Sequence, residues 1–335
     1  MNCFDVVIIG AGPAGLRCAY ILGDSELRVA VLDKQELPGV KPCAGGITPN
    51  TELYHQLPGR YVQFRRHRVV INRREFDVRI REPIRVIDRA DLASYQLRRV
   101  EGFENITIFK GIRIRSVSRG DGENFVESES GERFYYRYLV GADGSKSVTR
   151  SFLGLKTGLR TGLNCRIEAS YDRMTWYFNP GLLSDGYCWI FPHRNFLSCG
   201  VYYDPGKVLG TDALGALEDF LSNRGIDLPH SRLEGFPVLC GHHGFRFGNI
   251  FLCGDAAGSA LPATGEGIYP AVLSGESVAR YLIGEMEAFS AMNELLRSRK
   301  RQLLGIRAFR ALRIPLLQSV ALEALARFGS RYYMS

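Results

Sequence analysis

The sequence predicts an α/β fold, with a Rossmann-type dinucleotide-binding domain, an inserted antiparallel-sheet domain and a helical C-terminal segment. Three observations predict it. An apolar, β-branched run at 4–9 ends in Gly-x-Gly-x-x-Gly and leads directly into a helix. A second apolar run at 27–33 completes a βαβ unit with the first. A strand-rich block at 164–203 then interrupts the alternation of strands and helices.

The glycine-rich turn has the residue types that bind a pyrophosphate. Gly10 allows a tight turn, Gly12 lets phosphates approach the backbone, and Gly15 lets the helix pack close to the strand. Pro13 and Ala14 begin the helix, whose N-terminal amides face the phosphates. Because glycine-rich turns have many structural uses, the strand that follows decides the interpretation.

That second strand ends in an acid, Asp33, which is followed by Lys34. A carboxylate at this position is placed to accept a hydrogen bond from a ribose hydroxyl. An acid rather than an arginine favours FAD or NAD over NADP. The βαβ unit therefore predicts a dinucleotide with a free ribose hydroxyl.

The first half of the chain continues with short elements. After a stretch rich in proline and glycine, strand-like runs between 61 and 80 flank a turn at Asn72. A strand from 84 leads into an amphipathic helix, for which Asp88 is a good N-cap. A meander is predicted from four runs: 106–109, 112–117, 124–127 and 134–136.

The second half begins with a strand at 138–141 that turns into a helix. Helices are predicted at 212–222 and, after a strand from 249, up to 283; the terminal region 286–328 has a helical period that Pro315 kinks or breaks. We assign 1–58, 84–160 and 241–285 to the dinucleotide-binding domain, 59–83 and 161–240 to the sheet domain, and 286–335 to a basic helical segment.

Length and composition favour a cytoplasmic protein of two domains or of one large composite domain. The chain has 335 residues, of which 45% are apolar and 23% charged. The first strand begins almost at Met1, so we expect no signal peptide, and no apolar run reaches the ~18 residues of a membrane span. The eight cysteines are scattered without C-x-x-C, which favours unpaired thiols in a reducing compartment. No metal site is predicted, since His242 and His243 beside Cys240 lack zinc spacing.

Positive charge is concentrated at the C-terminus. From Arg297 onwards there are nine Lys and Arg against one acid, Glu323, so the rest of the chain carries 34 of each sign. These cations interleave with leucines, which predicts either an interfacial helix on an anionic membrane or a packed helix with a solvated basic face. The eight arginines of 60–81 predict either a solvated face of a sheet or a site for an anion or a membrane surface. Nucleic-acid binding is not expected, because the surplus lies in one tail without a nucleic-acid motif.

Three glycine–acid turns each follow a short apolar strand, at 10–15, 141–144 and 254–258. Together they resemble the FAD-dependent oxidoreductases of the p-hydroxybenzoate hydroxylase fold, and within them the geranylgeranyl reductase family. Asp143-Gly144 resembles the family's Asp-Gly motif, Gly254-Asp255 its Gly-Asp motif, and the helix of Arg89 its arginine-bearing helix. The FAD-binding residues that the resemblance and the βαβ unit imply are Gly10, Gly12, Pro13, Ala14, Gly15, Asp33, Lys34, Cys43, Ala44, Gly45, Arg89, Asp143, Gly144, Gly254, Asp255, Gly265, Gly267 and Ile268.

Two further motifs resemble the reductase branch of that fold. The run 42–46 is similar to the family's Pro-Cys-Gly-Gly-Gly loop, with Ala44 in place of one glycine, and implies that Cys43, Gly45 and Gly46 are catalytic. Its cysteine would face the flavin and donate a proton or hold the substrate, although a free cysteine is more often a small buried hydrophobe. The run 187–192, with Gly200 beyond it, is similar to the family's Tyr-x-Trp-x-Phe-Pro…Gly-x-Gly motif. This similarity implies a lipid pocket lined by Tyr187, Trp189, Phe191, Pro192 and Gly200.

By alternation, Tyr187, Trp189 and Phe191 share one face of a strand. An aromatic row of this kind is either ordinary sheet core or a pocket wall, and both interpretations stay open here. The run 264–268 precedes a helix, so its amides are placed to face the flavin N1–O2 edge, with Glu266 carried by resemblance or acting as a cap.

The resemblance implies hydride transfer from reduced FAD to carbon–carbon double bonds of an isoprenoid or prenyl lipid. No second Gly-x-Gly-x-x-Gly follows a strand, so the electron donor is expected to be transient NAD(P)H or a ferredoxin. An anionic membrane surface is a further expected partner, at the inner face of the membrane. The rival functions are a monooxygenase or halogenase of the same fold, and a flavoprotein that binds FAD without turnover.

Overall fold

The computed structural model describes residues 2–120, 123–156 and 158–332. The strands are β1 (Asn2–Ile9), β2 (Val29–Leu32), β3 (Gly46–Ile47), β4 (Tyr61–Ile71), β5 (Arg74–Ile87), β6 (Ile106–Phe109), β7 (Ile114–Arg119), β8 (Asn124–Ser128), β9 (Arg133–Gly141), β10 (Leu159–Ile167), β11 (Met174–Phe178), β12 (Tyr187–Pro192), β13 (Leu197–Tyr203), β14 (Glu234–Leu239), β15 (Arg246–Phe247) and β16 (Ile250–Leu252). The helices are α1 (Pro13–Leu22), α2 (Glu52–His55), α3 (Arg89–Val100), α4 (Val148–Phe152), α5 (Pro180–Leu183), α6 (Gly210–Ser222), α7 (Ile268–Leu282), α8 (Met292–Ala311) and α9 (Pro315–Tyr332).

The first sheet has the strand order β15-β16-β9-β1-β2-β6 and is parallel from β16 to β6. This confirms the predicted Rossmann-type arrangement. The predicted meander is correct only for β7, β8 and the first half of β9, which pair antiparallel. Its first run was placed wrongly: β6 pairs in parallel with β2, because the chain returns through α3 as a crossover.

Side chains alternate across the first sheet, as the pleat requires. On one face Val6, Ile8 and Val31 pack with Leu16 of α1 and Val278 of α7. On the other face Val7, Leu32 and Phe134 belong to the core under β7 and β8. Both faces are therefore buried, which explains the continuous apolar runs of β1 and β2.

The second sheet has the order β14-β10-β13-β12-β11-β4-β5-β3 and is antiparallel except between β11 and β4. One face is covered by α6, with Phe220 and Leu217 against Cys188 and Ile190. The opposite face carries the aromatic side chains. β5 runs to Ile87, past the predicted boundary at 83, and β3 adds two residues of the segment 1–58 to this sheet. The division of the chain into domains stays a prediction.

The C-terminal segment forms two helices, and the predicted break at Pro315 is confirmed, because α8 ends at Ala311 and α9 begins at Pro315. α9 lies on the β4–β5 hairpin, where Asn72 Nδ2 donates to Ser319 Oγ at 2.9 Å and Arg74 pairs with Glu323 at 2.8 Å. In the described part of the chain, none of the helices is both long enough and apolar enough to cross a membrane.

Candidate flavin site

The glycine-rich turn between β1 and α1 combines tight packing with one open position. Gly10 has φ +102°, and a Cβ there would collide with the carbonyl oxygen of Ala142. A Cβ on Gly15 would collide with the carbonyl of Gly10, so the helix can approach only a glycine. Around Gly12, by contrast, no atom of the protein lies within 4 Å of an added Cβ. The free space above Gly12, at the N-terminus of α1, fits a pyrophosphate.

Asp33 has a structural role in addition to the predicted one. Its Oδ2 accepts the Ala11 N–H at 2.7 Å and its Oδ1 accepts the Gln35 N–H at 2.8 Å. These bonds fasten the glycine turn to the end of β2. A carboxylate has further lone pairs, so the predicted ribose contact is compatible with both bonds but stays a prediction, as does that of the exposed Lys34.

In the Asp-Gly turn after β9, the carboxylate points into the protein. Asp143 accepts hydrogen bonds from Ser147 Oγ at 2.6 Å and from the Thr149 N–H at 3.1 Å, which ties the turn to α4. Burial raises the pKa of Asp143 above its usual range, against the effect of these hydrogen bonds. A Cβ on Gly144 would meet no atom within 4 Å. The open side of this turn is therefore the Gly144 backbone.

The Gly-Asp turn after β16 joins two parts of the site. The Gly254 N–H donates to Ser274 Oγ of α7 at 2.9 Å. The Asp255 Oδ2 pairs with Lys41 Nζ at 2.9 Å, although the two residues are 214 positions apart. This ion pair brings the loop of Cys43 to the Gly-Asp turn.

Arg89 is the strongest sign of a missing ligand. It begins α3 and is 6% exposed, and its Nε and Nη1 have no hydrogen-bond partner among the described residues. Burial lowers the pKa of Arg89, while the charges of Cys43 and Asp255 nearby act in the opposite direction. A buried guanidinium without a partner is costly, so this position requires an acceptor from a ligand. Together with the open space at Gly12 and Gly144, it fits an anionic dinucleotide.

The loop before α7 closes the site from the other side. A Cβ on Gly265 would touch the ring of Tyr202 at 3.2 Å, and Gly267 directly precedes the buried Ile268 at the start of the helix. Glu266 accepts a hydrogen bond from Thr48 Oγ1 at 2.5 Å, and burial raises the pKa of this carboxyl group. The loop is thus held by the two sides of the cleft, as a helix N-terminus facing a flavin requires.

Cys43 lies on a well-fixed loop. Its Sγ accepts the Gly45 N–H at 3.4 Å, and the Gly45 carbonyl accepts the Ile87 N–H at 3.0 Å. The Ala44 carbonyl is bound by His193 Nε2 at 3.1 Å. Burial lowers the pKa of His193 to about 4, so the imidazole is neutral at pH 7 and Nε2 must be its donor nitrogen. The half-buried thiol is held by the loop, beside Arg89.

The aromatic row of β12 faces this loop. Tyr187, Trp189 and Phe191 are buried, and the Tyr187 hydroxyl donates to the carbonyl of Thr264 in the flavin loop. Gly200 provides room for the Trp189 ring, with which a Cβ would collide. Pro192 ends β12. These residues form the base of the wall, which is the sheet-core interpretation.

The accessible part of the wall was not predicted from the sequence. Trp176 and Phe178 of β11 are half-buried, and the Trp176 ring lies 4.8 Å from Phe191 and 5.3 Å from Tyr187. Phe64 and Ile84 pack against the same cluster, as does Ala44 of the cysteine loop. The alternation of Trp176 and Phe178 with Tyr177 could have indicated this second row.

Residues 4–166 match the pyridine nucleotide-disulphide oxidoreductase family. An uncharacterized protein of Methanosarcina barkeri is 28% identical over 302 residues, covering 86% of this chain and 76% of its own. The geranylgeranyl diphosphate reductase of Rhodobacter capsulatus is 29% identical (82% and 74% covered), and the digeranylgeranylglycerophospholipid reductase 1 of Methanopyrus kandleri is 26% identical (85% and 81%). The chain is an FAD-dependent oxidoreductase that is similar, over most of its length, to reductases of geranylgeranyl compounds.

Solved structures support the fold of this chain. A geranylgeranyl bacteriochlorophyll reductase-like protein of Thermoplasma acidophilum has a TM-score of 0.73 at 18% identity, with 99% of this chain and 90% of that chain covered. The p-nitrophenol 4-monooxygenase of Pseudomonas putida has a TM-score of 0.71 at 18% identity, with 98% and 99% covered. The predicted p-hydroxybenzoate hydroxylase-like fold is confirmed. A flavin is therefore the cofactor of this oxidoreductase, and the contacts of individual residues with it stay predictions.

Proposed function

We propose that the protein reduces carbon–carbon double bonds of an isoprenoid or prenyl lipid with electrons from bound FAD. The observation that carries the proposal is the accessible apolar row formed by Phe64, Ile84, Trp176 and Phe178, which leads to the Cys43 loop. An apolar wall of this kind suits a hydrocarbon chain. The names of the relatives from Rhodobacter and Methanopyrus, which are reductases of geranylgeranyl compounds, support the same substrate class.

FAD would be held by the open backbone at Gly12 and Gly144, by the loop at Gly265–Gly267 before α7, and by the guanidinium of Arg89. When bound, the flavin supplies the hydride. The N-terminus of α7 carries a partial positive charge, which would stabilise negative charge on the reduced flavin, as would a cation of the cleft. The residues of this chain then have to orient the alkene, exclude water and provide a proton.

Cys43 is the proton donor in this proposal. Reduction of an alkene adds a hydride to one carbon and a proton to the other, and the thiol would give up that proton as the hydride arrives. The loop bonds from Gly45 and His193 hold the thiol in one place. Tyr187 is the less suitable donor, because its hydroxyl is engaged with the Thr264 carbonyl.

The test is anaerobic turnover of the reduced flavoprotein with a geranylgeranyl lipid, followed by mass spectrometry. We expect a product heavier by two hydrogens for each double bond reduced. The alternative is a monooxygenase or halogenase, since the same fold occurs in the Pseudomonas monooxygenase. A product that forms only with oxygen, and that gains oxygen or halogen, would establish this alternative instead.

We propose NAD(P)H or a reduced ferredoxin as the electron donor, because the sequence has no second glycine-rich dinucleotide motif. Anaerobic stopped-flow absorbance at the flavin band would compare the two donors directly. We further propose that the reaction takes place at the inner face of a membrane, where a prenyl lipid resides. The nine cations against one acid from Arg297 onwards support this location.

A further inference from the structure

The turn between α8 and α9 exposes apolar side chains that nothing in the described structure covers. Leu316 is 71% exposed, Val320 55%, Ile314 53% and Leu317 46%, and Leu312 precedes them at 38%. We call these five residues the α8–α9 tip. Patches of adjacent exposed leucines are unusual on a protein surface that faces only water.

Part of the tip belongs to α9, a helix that buries polar side chains and exposes apolar ones. In α9 the buried positions are the polar Gln318 and Ser319, at 7% and 3% exposure. Gln318 Nε2 donates to the Phe309 carbonyl at 3.0 Å, and Ser319 Oγ accepts from Asn72. The hydrogen bonds therefore attach α9 to the body through its polar residues, and this leaves the leucines on the outside. Because polar contacts hold α9 in this orientation, its exposed apolar face is available to a binding partner.

The charges around the tip identify the kind of partner. Arg307 and Arg313 are exposed beside it, and within the described residues neither forms an ion pair. Two other cations of α8 face inward: Arg310 binds Asp185 and Asp204, and Arg299 binds the Ala260 and Cys240 carbonyls. A second copy of this chain would bring the same unpaired cations to the contact. An anionic lipid surface complements both the leucines and the arginines.

We infer that the α8–α9 tip inserts into the interfacial region of an anionic membrane, with Arg307 and Arg313 at the level of the lipid phosphates. Interfacial elements of this kind bury their apolar side chains to a depth of about 5–10 Å. The tip is then the surface by which the protein binds the proposed membrane. The inference rests on the proposed function in one respect, namely that the substrate is a lipid.

Next to Val320, α9 is also joined to the edge of the sheet that carries the apolar wall, because Ser319 accepts a hydrogen bond from Asn72, whose N–H donates to the Phe178 carbonyl. Across the second sheet, Trp189 is opposite Trp176, Trp176 opposite Val69, and Val69 opposite Phe76, so their side chains share one face. α9 crosses this face at its outer edge, where Arg327 lies over the Phe76 ring at 5.5 Å. A lipid that leaves the membrane at the tip would thus meet an apolar surface that continues to the flavin site.

Co-sedimentation of the flavin-loaded full chain with vesicles tests the inference. The vesicles contain either phosphatidylcholine alone or equal parts of phosphatidylcholine and phosphatidylglycerol. We expect the double variant L316E/V320E to bind the anionic vesicles at least about tenfold more weakly than the unmodified protein. The variant R307Q/R313Q should lose about thirtyfold on anionic vesicles only, since each cation contributes about 1 kcal/mol near such a surface.

The control is L325E, which places one carboxylate, against the two of L316E/V320E, on the same helix at a residue that is 66% exposed but lies half a turn round from Leu316. It should bind as the unmodified protein does. Equal binding of L316E/V320E and L325E would overturn the inference. So would a dimer of the unmodified protein that L316E/V320E converts to a monomer in size-exclusion chromatography, since the tip would then contact a second copy.

Activity separates this inference from the proposed function. With a detergent-solubilised prenyl lipid, all three variants should keep their flavin content and their rate of reduction. If the unmodified protein reduces the solubilised lipid but does not bind vesicles, membrane insertion of the tip is refuted and the proposed function is not. If it binds vesicles through the tip but reduces no lipid, the proposed function is refuted and membrane insertion of the tip is not.

Discussion

Replacing Arg89 with methionine should shift apoprotein stability and flavin affinity in opposite directions. In the apoprotein, Nε and Nη1 of Arg89 are buried without partners. Each buried unsatisfied donor costs about 1–3 kcal/mol, so methionine should raise the free energy of unfolding of the apoprotein by roughly 2 kcal/mol. With FAD bound, the guanidinium gains its acceptor. Loss of one hydrogen bond to a charged group, about 1.5–3 kcal/mol, should weaken FAD binding roughly 10- to 100-fold.

Urea unfolding of the apoprotein and titration of FAD by fluorescence measure the two quantities. R99M is the matched control, since Arg99 lies on the same helix and already donates to the side-chain oxygen of Gln56. It should lower stability and leave FAD affinity almost unchanged. If R89M destabilises the apoprotein and binds FAD normally, the guanidinium has a partner within the protein and the assignment of Arg89 to the cofactor is refuted.

Three further predictions follow from the site. G12A should leave apoprotein stability unchanged but abolish FAD binding, because the added methyl group meets no protein atom and occupies the space of the pyrophosphate. G10A should unfold the apoprotein, because Gly10 has a positive φ and its Cβ would collide with the Ala142 carbonyl. Equal urea midpoints for the two variants would contradict this prediction. Burial lowers the pKa of His193 in the folded protein to about 4, below its unfolded value of about 6.5, so the unfolded state binds more protons between these two pH values. The free energy of unfolding should therefore decrease by up to about 3 kcal/mol as the pH is lowered from about 6.5 to about 4 in the unmodified protein, but not in H193Q. Parallel pH profiles of the two proteins in urea unfolding would refute this prediction. C43A should bind FAD and be reduced normally but transfer hydrogen to the alkene roughly 100-fold more slowly in stopped flow; unchanged flavin reoxidation by every prenyl substrate would instead favour a flavoprotein without turnover.

Local patterns were sufficient for the elements of the dinucleotide fold. The glycine turn, the N-cap at Asp88, whose side chain accepts the Ala90 N–H at 3.1 Å, and the break before Pro315 each depend on a few adjacent residues. Backbone geometry at such positions is restricted by the residues themselves. This is why the predicted fold class and the family resemblance are confirmed.

The direction of each side chain could not be predicted in the same way. The helical period of the C-terminal segment was correct, but it did not indicate that Arg299 and Arg310 bind carbonyls and carboxylates of the body. In α9, Leu316, Leu317 and Leu325 are exposed and Gln318 is buried. A hydrophobic period identifies the faces of a helix, but which face turns inward depends on the partners that it meets.

The sequence by itself therefore determined the Rossmann-type turn, the flavin family and the presence of a cysteine loop, because these are properties of contiguous residues. Only the tertiary structure decided how the site is assembled. It joins Lys41 to Asp255, His193 to the Ala44 carbonyl, and Tyr187 to the Thr264 carbonyl, across 214, 149 and 77 positions of the chain. Such contacts follow from the packing of two sheets against each other, and no local spacing encodes them.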